Sequence, residues 1–335
     1  MERIALIIGN YVIYWRPLLM VAAVLVTACL FSAIYLQKGG SGLSALATVC
    51  TALVLGTFLA RLLHWYCRFD SYPSLRAAIT EYSTGGYALA GVFAGCLAAA
   101  LLLRLLFVHR NTPMMLDCMA IAGSAGIAVG RLASFFDASD RGPILQTLRD
   151  LPFAYPVTNP VSGAVEYRLA VFLIQAMIAA ALFAVLLVLY FLPRKKKLPD
   201  GDVTLIFLLI YGATQVVMDS IRYDSLFFRS NGFVSVVQVL GAAGLVIPTV
   251  IFAVRMVLRQ GMKRKYCILW LVILGLIGLG GYMEYFVQRH GSQAFLGYCI
   301  MSSSIAAAVI LSLMMHRLSL GSEESIRSGR FLKTE

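Results

Sequence analysis

The chain has 335 residues, of which 60% are hydrophobic and 13% are charged. This balance lies far outside the composition of globular proteins and excludes a soluble enzyme. Because a membrane-spanning helix needs about 20 mostly apolar residues, we predict an all-α, polytopic integral membrane protein with short loops. A formal net charge of +12 is compatible with nucleic acid binding, but no soluble basic domain is present to bind it. We interpret the charge as a topology signal in a membrane that contains anionic lipid.

Apolar windows predict nine membrane-spanning helices along the chain. In chain order they lie near residues 17–36, 45–66, 85–106, 115–136, 167–192, 203–220, 233–258, 268–288 and 296–316. A basic linker precedes the last two spans. We therefore assign 1–258 to a seven-span core, 259–318 to an appended two-span hairpin and 319–335 to a tail.

Lysines and arginines are unequally divided between the two predicted sides of the membrane. Of the 28, 16 lie on the side that includes the C-terminal tail, 10 lie on the other side, and Arg61 and Arg131 lie within spans. Positive residues are retained on the cytoplasmic side. We therefore predict an external N-terminus and a cytoplasmic C-terminus.

The seven cysteines and four histidines form no CxxC pair and no spacing typical of a metal site. We therefore expect neither a metal nor a cofactor. The segment 26–29, which ends at Cys29, resembles a lipobox, and the chain itself would then be a lipoprotein. An ordinary first span is the preferred interpretation, because no compact basic segment precedes it.

Charged residues within the spans or at their ends are few. Each one inside the membrane costs at least about 2.5 kcal/mol on insertion scales and therefore needs a partner or a water-filled cavity. Asp219 and Arg222 are three residues apart on one helix face, which permits an ion pair. Such a pair is either part of a site or purely structural. The complete set is Arg16, Arg61, Asp117, Arg131, Asp219 and Arg222.

Arg131 is surrounded by small residues near the external end of the fourth predicted span. Small neighbours allow a helix or a lipid headgroup to approach closely, and the guanidinium fork matches a phosphate. Snorkelling to the interface is the alternative. In the third span, Gly91 and Gly95 form a small-xxx-small pattern that is typical of close helix packing.

The segment 130–142 resembles the signature of the prolipoprotein diacylglyceryl transferases, which reads roughly G-R-x-[GA]-N-F-x-N-x-E-x-x-G. The spacing of the signature is kept throughout. Ser134, Asp137 and Ser139 stand where the family has two asparagines and a glutamate. The positions that agree are Gly130, Arg131, Ala133, Phe135 and Gly142.

Segments before the signature resemble the same family in the same order. The entrance of the first helix is similar to the family's G…W-Y-G-L-M, with Arg16 in place of a tyrosine. Gly85, Gly86 and the residues after them resemble G-G-[LM]-[AS]-F-H-G, with Ala90 in place of the histidine. Asp117 matches an aspartate that begins the span before the signature.

Segments after the signature continue the resemblance. Residues 211–222 resemble Y-G-x-x-R-x-x-x-E-x-x-R, with Gln215 for the first arginine, Asp219 for the glutamate and Arg222 kept. Residues 232–238 resemble the family's final G…M-G-Q. The resemblance covers about 8–255, and the family's H-P-S-Q-L-Y-E segment has no clear match.

The resemblance implies an enzyme of a bacterial plasma membrane that works at the outer leaflet. Its reaction transfers the diacylglyceryl group of phosphatidylglycerol to the lipobox cysteine of a preprolipoprotein. It implies a catalytic site made of Arg131, Asp137, Asp219 and Arg222. It implies a substrate-binding set made of Arg16, Gly85, Gly86, Ser134, Gly142 and Gln215.

This chemistry needs fixed cations for the leaving phosphate and a thiolate as nucleophile. Arg131 and Arg222 are the candidate cations. Ala90 cannot act as a base, so the thiolate arises either in an electropositive mouth or with help from Asp137 or Asp219.

Two readings from other functional classes remain. The first is a non-catalytic protein of the same fold that binds anionic lipid or a lipoprotein precursor, and the loss of family residues favours it. The second is a small-solute transporter, which would be expected to have related halves. The sequence has no convincing internal repeat.

Overall fold

A computed structural model describes residues 4–81, 85–106, 108, 111–145, 152–159, 162–191, 198–229 and 231–321. Most of these residues are helical, and three short antiparallel hairpins complete the regular structure of the described residues. The helices are α1 (Trp15–Gln37), α2 (Gly42–Cys67), α3 (Leu75–Thr80), α4 (Leu89–Leu105), α5 (Thr112–Leu132), α6 (Val171–Phe191), α7 (Asp202–Ile221), α8 (Val236–Gln260), α9 (Arg264–Arg289) and α10 (Ala294–Gly321). The strands are β1 (Ile4–Ile8), β2 (Tyr11–Tyr14), β3 (Ala154–Thr158), β4 (Val165–Leu169), β5 (Phe227–Phe228) and β6 (Asn231–Ser235).

Eight of the described helices are long and apolar enough to cross a membrane, which confirms the predicted all-α polytopic class. The ninth apolar helix, α4, has 17 residues and is about 25 Å long at 1.5 Å per residue. The corresponding span was expected to begin at residue 85. It begins at Leu89, because Gly85 and Gly86 adopt φ values of 65° and 84° that a right-handed helix does not allow.

Internal contacts divide the chain into two compact units. The first unit comprises Met1–Phe207 and Ile221–Val237, and the second comprises Leu208–Ser220 and Gln238–Glu335. Helix α7 thus contributes to both units. The assignment of 1–258, 259–318 and 319–335 to core, hairpin and tail stays a prediction, and residues 322–335 lie outside the described residues.

Close backbone approach determines the packing of α2 against α4 in the first unit. A Cβ atom at Gly91 would clash with the α2 backbone beside Ala60, and one at Gly95 would clash with it beside Gly56. Only glycine allows the two helices to come so near, as the small-xxx-small pattern predicts.

Helix α5 is the most enclosed of the candidate membrane spans that lie wholly in the first unit. Half of its apolar window is buried, compared with 22% for α1, and it packs between α1 and α6. Its N-terminal part carries Asp117, which accepts hydrogen bonds from the backbone N–H groups of Gly201 and Thr204, each at 2.7 Å. The Thr204 hydroxyl donates a third bond, also at 2.7 Å. Asp117 therefore caps the start of α7, as cap residues do at helix N-termini.

Polar contacts tie the last two helices to α8 in the second unit. The hydroxyls of Thr249 and Ser312 are 2.9 Å apart in a buried position. Gln238 Nε2 donates to Glu284 Oε1 at 2.9 Å, and Arg259 Nη1 donates to the Ser319 carbonyl at 2.8 Å. In an apolar bundle such interhelical hydrogen bonds stabilise association.

Candidate active site

Two arginines of the first unit converge on one carboxylate oxygen. Arg131 Nη1 donates a hydrogen bond to Oδ1 of Asp140 at 2.8 Å, and Arg222 Nη2 lies 2.7 Å from the same atom. The hydroxyl of Ser134 donates to the second oxygen, Oδ2, at 2.9 Å. All three charged side chains are only 12% or 13% exposed. Arg131 and Arg222 are termed the arginine pair below.

The ends of two helices bring the arginine pair together. Arg131 lies in the last turn of α5, which ends at Leu132 and continues as a 3-10 turn, Ala133–Phe136. Arg222 directly follows the last residue of α7. A cation at the C-terminal end of a helix also interacts favourably with the helix dipole.

The backbone at Asp140 is held in an unusual conformation. Its φ is +56°, and it is the one residue other than glycine with positive φ in the described part of the chain. Its N–H donates to Oδ2 of Asp224 at 3.0 Å, and its carbonyl accepts from the N–H of Phe172 at 3.1 Å. Aspartate tolerates the left-handed region better than most residues, and these two bonds fix it there.

Asp224 is the second carboxylate of the cluster. Its Oδ1 accepts a hydrogen bond from Arg222 Nε at 3.0 Å, while Oδ2 accepts from the Asp140 backbone. Two carboxylates therefore balance the two guanidinium groups. This balance is required because burying an unpaired charge is strongly unfavourable.

A third arginine, Arg141, supports the loop beneath the cluster. Its side chain is fully buried, and its guanidinium lies 4.2 Å from the ring centres of both Tyr155 and Phe172. Nη2 donates to the carbonyls of Ser134 at 2.6 Å and Asp137 at 2.7 Å. Arg141 thus fixes the turn that carries Asp140 through backbone carbonyls and aromatic rings.

The predicted entrance residue Arg16 reaches the same loop. It forms an ion pair with Asp137, and the neighbouring Trp15 stacks on Phe136 with ring centres 5.5 Å apart. Arg16 is 52% exposed, whereas Asp137 is 26% exposed. The start of α1 therefore forms one rim of the cluster.

The charges of the cluster shift the pKa values of its members. Burial acts to raise the pKa of Asp140, but Arg131, Arg222 and the Ser134 hydroxyl outweigh it and hold the pKa well below its usual range. Burial acts to lower the pKa of Arg222, and the Asp140 carboxylate outweighs it and raises the pKa. Asp140 is therefore ionised at neutral pH and is a poor proton acceptor.

Of the remaining predicted site residues, the structure brings Ser134 to the cluster and gives Gly142 a closely packed position. Ser134 bonds Asp140 directly. Gly142 lies where a Cβ atom would come within 3.0 Å of the Leu169 and Val171 side chains. Gln215 and Asp219 are buried on α7, 5% and 2% exposed, and belong to the second unit.

Gly85 and Gly86 are positioned by the intramembrane arginine Arg61, which is 2% exposed. Its Nη1 donates to the Gly86 carbonyl at 3.0 Å, Nη2 to that of Glu81 at 2.7 Å and Nε to that of Ala78 at 2.5 Å. Arg61 therefore holds the turn before α4 through backbone carbonyls.

Asp140, Asp224 and Arg141 were missed by the sequence reasoning. The family signature has its glutamate at the position of Ser139, and Asp140 lies one residue later, outside the signature's acidic position. The local signal was the spacing of Asp137 and Asp140 after a helix that ends in an arginine. Across the described residues, no three His, Cys, Asp or Glu side chains cluster as a metal site would require.

Comparisons with known proteins identify the family of the chain. The family described as prolipoprotein diacylglyceryl transferase matches residues 3–254. A phosphatidylglycerol–prolipoprotein diacylglyceryl transferase of Streptococcus pneumoniae (strain Hungary19A-6) is 29% identical over 245 residues, which cover 71% of this chain and 90% of that protein. The protein of the same name from strain JJA is 29% identical over 233 residues, or 69% and 86% of the two chains. The chain therefore belongs to the prolipoprotein diacylglyceryl transferase family.

Proposed function

We propose that the protein transfers the diacylglyceryl group of phosphatidylglycerol to the lipobox cysteine of a preprolipoprotein. The family and the names of the relatives support this reaction. The observation that carries it is the convergence of Arg131 and Arg222 on a single anionic oxygen. Two guanidinium forks aimed at one point match a phosphate group in both charge and geometry.

The arginine pair acts on the leaving group of this reaction. The cysteine sulfur, as thiolate, attacks the carbon of the diacylglyceryl group that is bonded to the phosphate oxygen. The C–S bond forms while the C–O bond breaks, and the electron pair of that bond goes to the phosphate oxygen. Glycerol phosphate leaves with an additional negative charge, which fixed cations in a site of low dielectric stabilise in the transition state.

The thiol proton leaves to solvent, because the described residues of the cluster offer no strong base. Asp140 has a depressed pKa, Asp137 is paired with Arg16, and Ala90 is aliphatic. A free cysteine has a pKa of about 8.5, so a few per cent is thiolate at neutral pH, and nearby arginines raise that share. Arg16, which is half exposed at the rim although it is paired with Asp137, is placed to act in this way.

The topology follows from the charge asymmetry along the chain. We place the protein in a bacterial plasma membrane as a multi-pass protein, with its N-terminus outside and its C-terminus in the cytoplasm. In this orientation the ends of α5 and α7 that carry the arginine pair face the outer leaflet. The hairpin 259–318 is an addition to the core, and the tail 319–335 is cytoplasmic.

A second candidate function is lipid or precursor binding without transfer. The observation that favours it is that Asp140 already pairs with both members of the arginine pair, which weakens the positive field available to a leaving phosphate. The replacement of family residues by Ala90 and Gln215 favours it too. In this case the site would retain phosphatidylglycerol, but no thioether would form.

A mass-spectrometric assay separates the two functions. Purified protein is mixed with vesicles that contain phosphatidylglycerol and with a lipobox peptide, and the peptide is examined for a diacylglyceryl mass shift on cysteine. Vesicles of phosphatidylcholine alone and a Cys→Ser peptide are the controls. A shift that needs both phosphatidylglycerol and cysteine supports transfer, whereas retained lipid without a shift supports binding alone. If folded protein produces no mass shift and retains no lipid, both functions are contradicted.

A further inference from the structure

We propose that Asp140 is an internal anion that a phosphate group must replace at the arginine pair. Asp140 would thereby determine how tightly the site holds the phosphate of the donor lipid and of the released glycerol phosphate. The identity of the lipid in this inference rests on the proposed function. The competition between Asp140 and phosphate is argued from the geometry of the described residues.

The first step of the argument concerns charge. Arg131 and Arg222 contact the same atom, Oδ1 of Asp140, at 2.8 and 2.7 Å. Two guanidinium groups this close repel each other, and both are almost entirely removed from water. They require an anion between them. A phosphate oxygen satisfies the same donors as a carboxylate oxygen, so exchange of Asp140 for phosphate keeps the local charge balanced.

The second step concerns the way Asp140 is held. Its backbone is fixed in the left-handed region at φ +56° by its bonds to Asp224 and Phe172. Residues in such conformations persist where the surroundings determine them fully, and they cluster at functional sites. Only the side chain needs to rotate for the carboxylate to leave the arginine pair, because the backbone bonds do not involve it.

The third step concerns what remains after exchange. Arg222 keeps its bond from Nε to Asp224 at 3.0 Å, so it stays in position while its terminal nitrogen becomes available. The Ser134 hydroxyl holds Oδ2 while the carboxylate lies at the arginine pair, and this bond is given up when the side chain rotates away. Arg222 therefore stays anchored by Asp224 while the carboxylate of Asp140 is exchanged for another anion.

Competition of this kind weakens phosphate binding before and after transfer. Because two anions that exclude each other are coupled through the same cations, the coupling is reciprocal. Removal of the carboxylate should tighten the binding of phosphate compounds by about 10-fold, within the usual range for coupled sites. It should also slow the release of glycerol phosphate.

The test measures binding by the purified full-length protein in detergent and in nanodiscs. Isothermal titration with glycerol phosphate gives the affinity for soluble phosphate. Capture of a fluorescent phosphatidylglycerol from phosphatidylcholine nanodiscs gives the affinity for lipid. Asp140→Asn should bind both about 10-fold more tightly than the wild type. Asp70→Asn is the matched control, because it removes the same charge from an exposed site and should leave both affinities unchanged.

A second variant keeps every charge. Ser134→Ala removes one of the bonds that hold the Asp140 carboxylate and should raise phosphate affinity by about 2-fold to 3-fold. If Asp140→Asn does not fold, this variant decides the question, and an unchanged affinity in it overturns the inference.

The remaining outcomes separate the inference from the proposed function. Folded Asp140→Asn that binds both ligands no more tightly than the wild type overturns the inference. Tighter binding of glycerol phosphate without any binding of phosphatidylglycerol supports the inference for free phosphate and contradicts the lipid donor. Tighter binding of both supports the two together.

Discussion

The ion pairs that Arg131 and Arg222 form with Asp140 differ from ordinary surface ion pairs because they are buried. Exposed pairs contribute about 0–1 kcal/mol to stability, whereas the side chains of Arg131, Asp140 and Arg222 are 12% or 13% exposed. The Coulomb interaction between these groups is weakly screened at such a site. The local electric field at the C-terminal end of α5 is therefore strong, and a small anion that reaches it competes with Asp140 for two donors.

Substitutions at Arg131 should separate charge from geometry. We predict that Arg131→Ala lowers transfer, or lipid capture if transfer is absent, by about 10²-fold or more. Arg131→Lys should lose less, because lysine keeps the charge but not the bidentate fork. The measurement is the rate of the mass shift or the amount of lipid captured. Arg289→Ala, which removes an exposed arginine of α9, is the control. Wild-type behaviour of both Arg131 variants would assign Arg131 to structure alone.

Asp140 should make stability depend on pH only in the acid range. Its folded pKa is depressed, so its contribution is fully present above its unfolded pKa of about 4 and is lost as pH falls through the folded value. We predict that the free energy of unfolding of the wild type exceeds that of Asp140→Asn by about 3 kcal/mol at neutral pH, because the variant removes the charge of the carboxylate that both buried arginines contact. Thermal unfolding in detergent should show a constant difference in Tm from about pH 8 to about pH 5 and a shrinking one below about pH 4. A difference that changes between pH 5 and 8 would assign the effect to another group.

The position of Ala90 gives the catalytic proposal its pH dependence. Without a protein base, the transfer rate should rise with pH as the substrate thiol ionises near its pKa of about 8.5. We predict that Ala90→His raises the transfer rate by up to about 10²-fold near neutral pH if the imidazole reaches the thiol. The pH profile of the mass shift, measured for both proteins, tests this. A wild type and an Ala90→His variant that are inactive at every pH would favour the binding function.

Sequence reasoning found the cations of the site more readily than its anions. Arg131 was recognisable because an arginine fork among small residues inside a span needs a partner. Its partner was not recognisable, because the role of Asp140 depends on a positive φ and on a long-range contact with Arg222. Neither property leaves a periodic pattern in the sequence.

At the scale of helices, hydropathy located the spans well but not their ends. The predicted third span included Gly85 and Gly86, and the helix begins at Leu89. Hydropathy cannot detect a positive φ, and the turn is fixed instead by hydrogen bonds from Arg61, which is distant in sequence. Helix ends are thus determined by backbone conformation and tertiary bonds.

Glycines of two helices provide a matched test of close packing. A Cβ atom at Gly95 would clash with the backbone of α2 at Gly56, whereas at Gly123 of α5 it would have nothing within 4 Å. We predict that Gly95→Ala lowers the free energy of unfolding by about 1–3 kcal/mol. Gly123→Ala should leave it unchanged or raise it by up to about 1 kcal/mol, because alanine favours helix. Thermal unfolding in detergent measures both, and equal effects would contradict the close approach of α2 and α4.

At the scale of the whole molecule, the topology depends on whether α4 crosses the membrane. Its 17 residues extend about 25 Å, compared with a hydrocarbon core of about 30 Å. A helix of this length can span if the bilayer thins locally. The charge count that places the N-terminus outside assumes that it does. The number of crossings before α5 therefore decides on which side each later loop lies.

Three single cysteines, introduced into a cysteine-free background, settle this number. Ser71 lies before α4, Ser162 lies between α5 and α6, and Met262 lies between α8 and α9, all at exposed positions. Two crossings separate Ser71 from Ser162 if α4 spans, and one separates them if it does not. Three crossings separate Ser162 from Met262 in either case.

We predict that a membrane-impermeant maleimide labels Ser71→Cys and Ser162→Cys from outside intact cells and labels Met262→Cys only after permeabilisation. Labelling of Ser162→Cys but not Ser71→Cys from outside would show that α4 does not cross. External labelling of Met262→Cys would reverse the orientation and place the arginine pair at the cytoplasmic face, where the proposed reaction could not reach an exported lipobox.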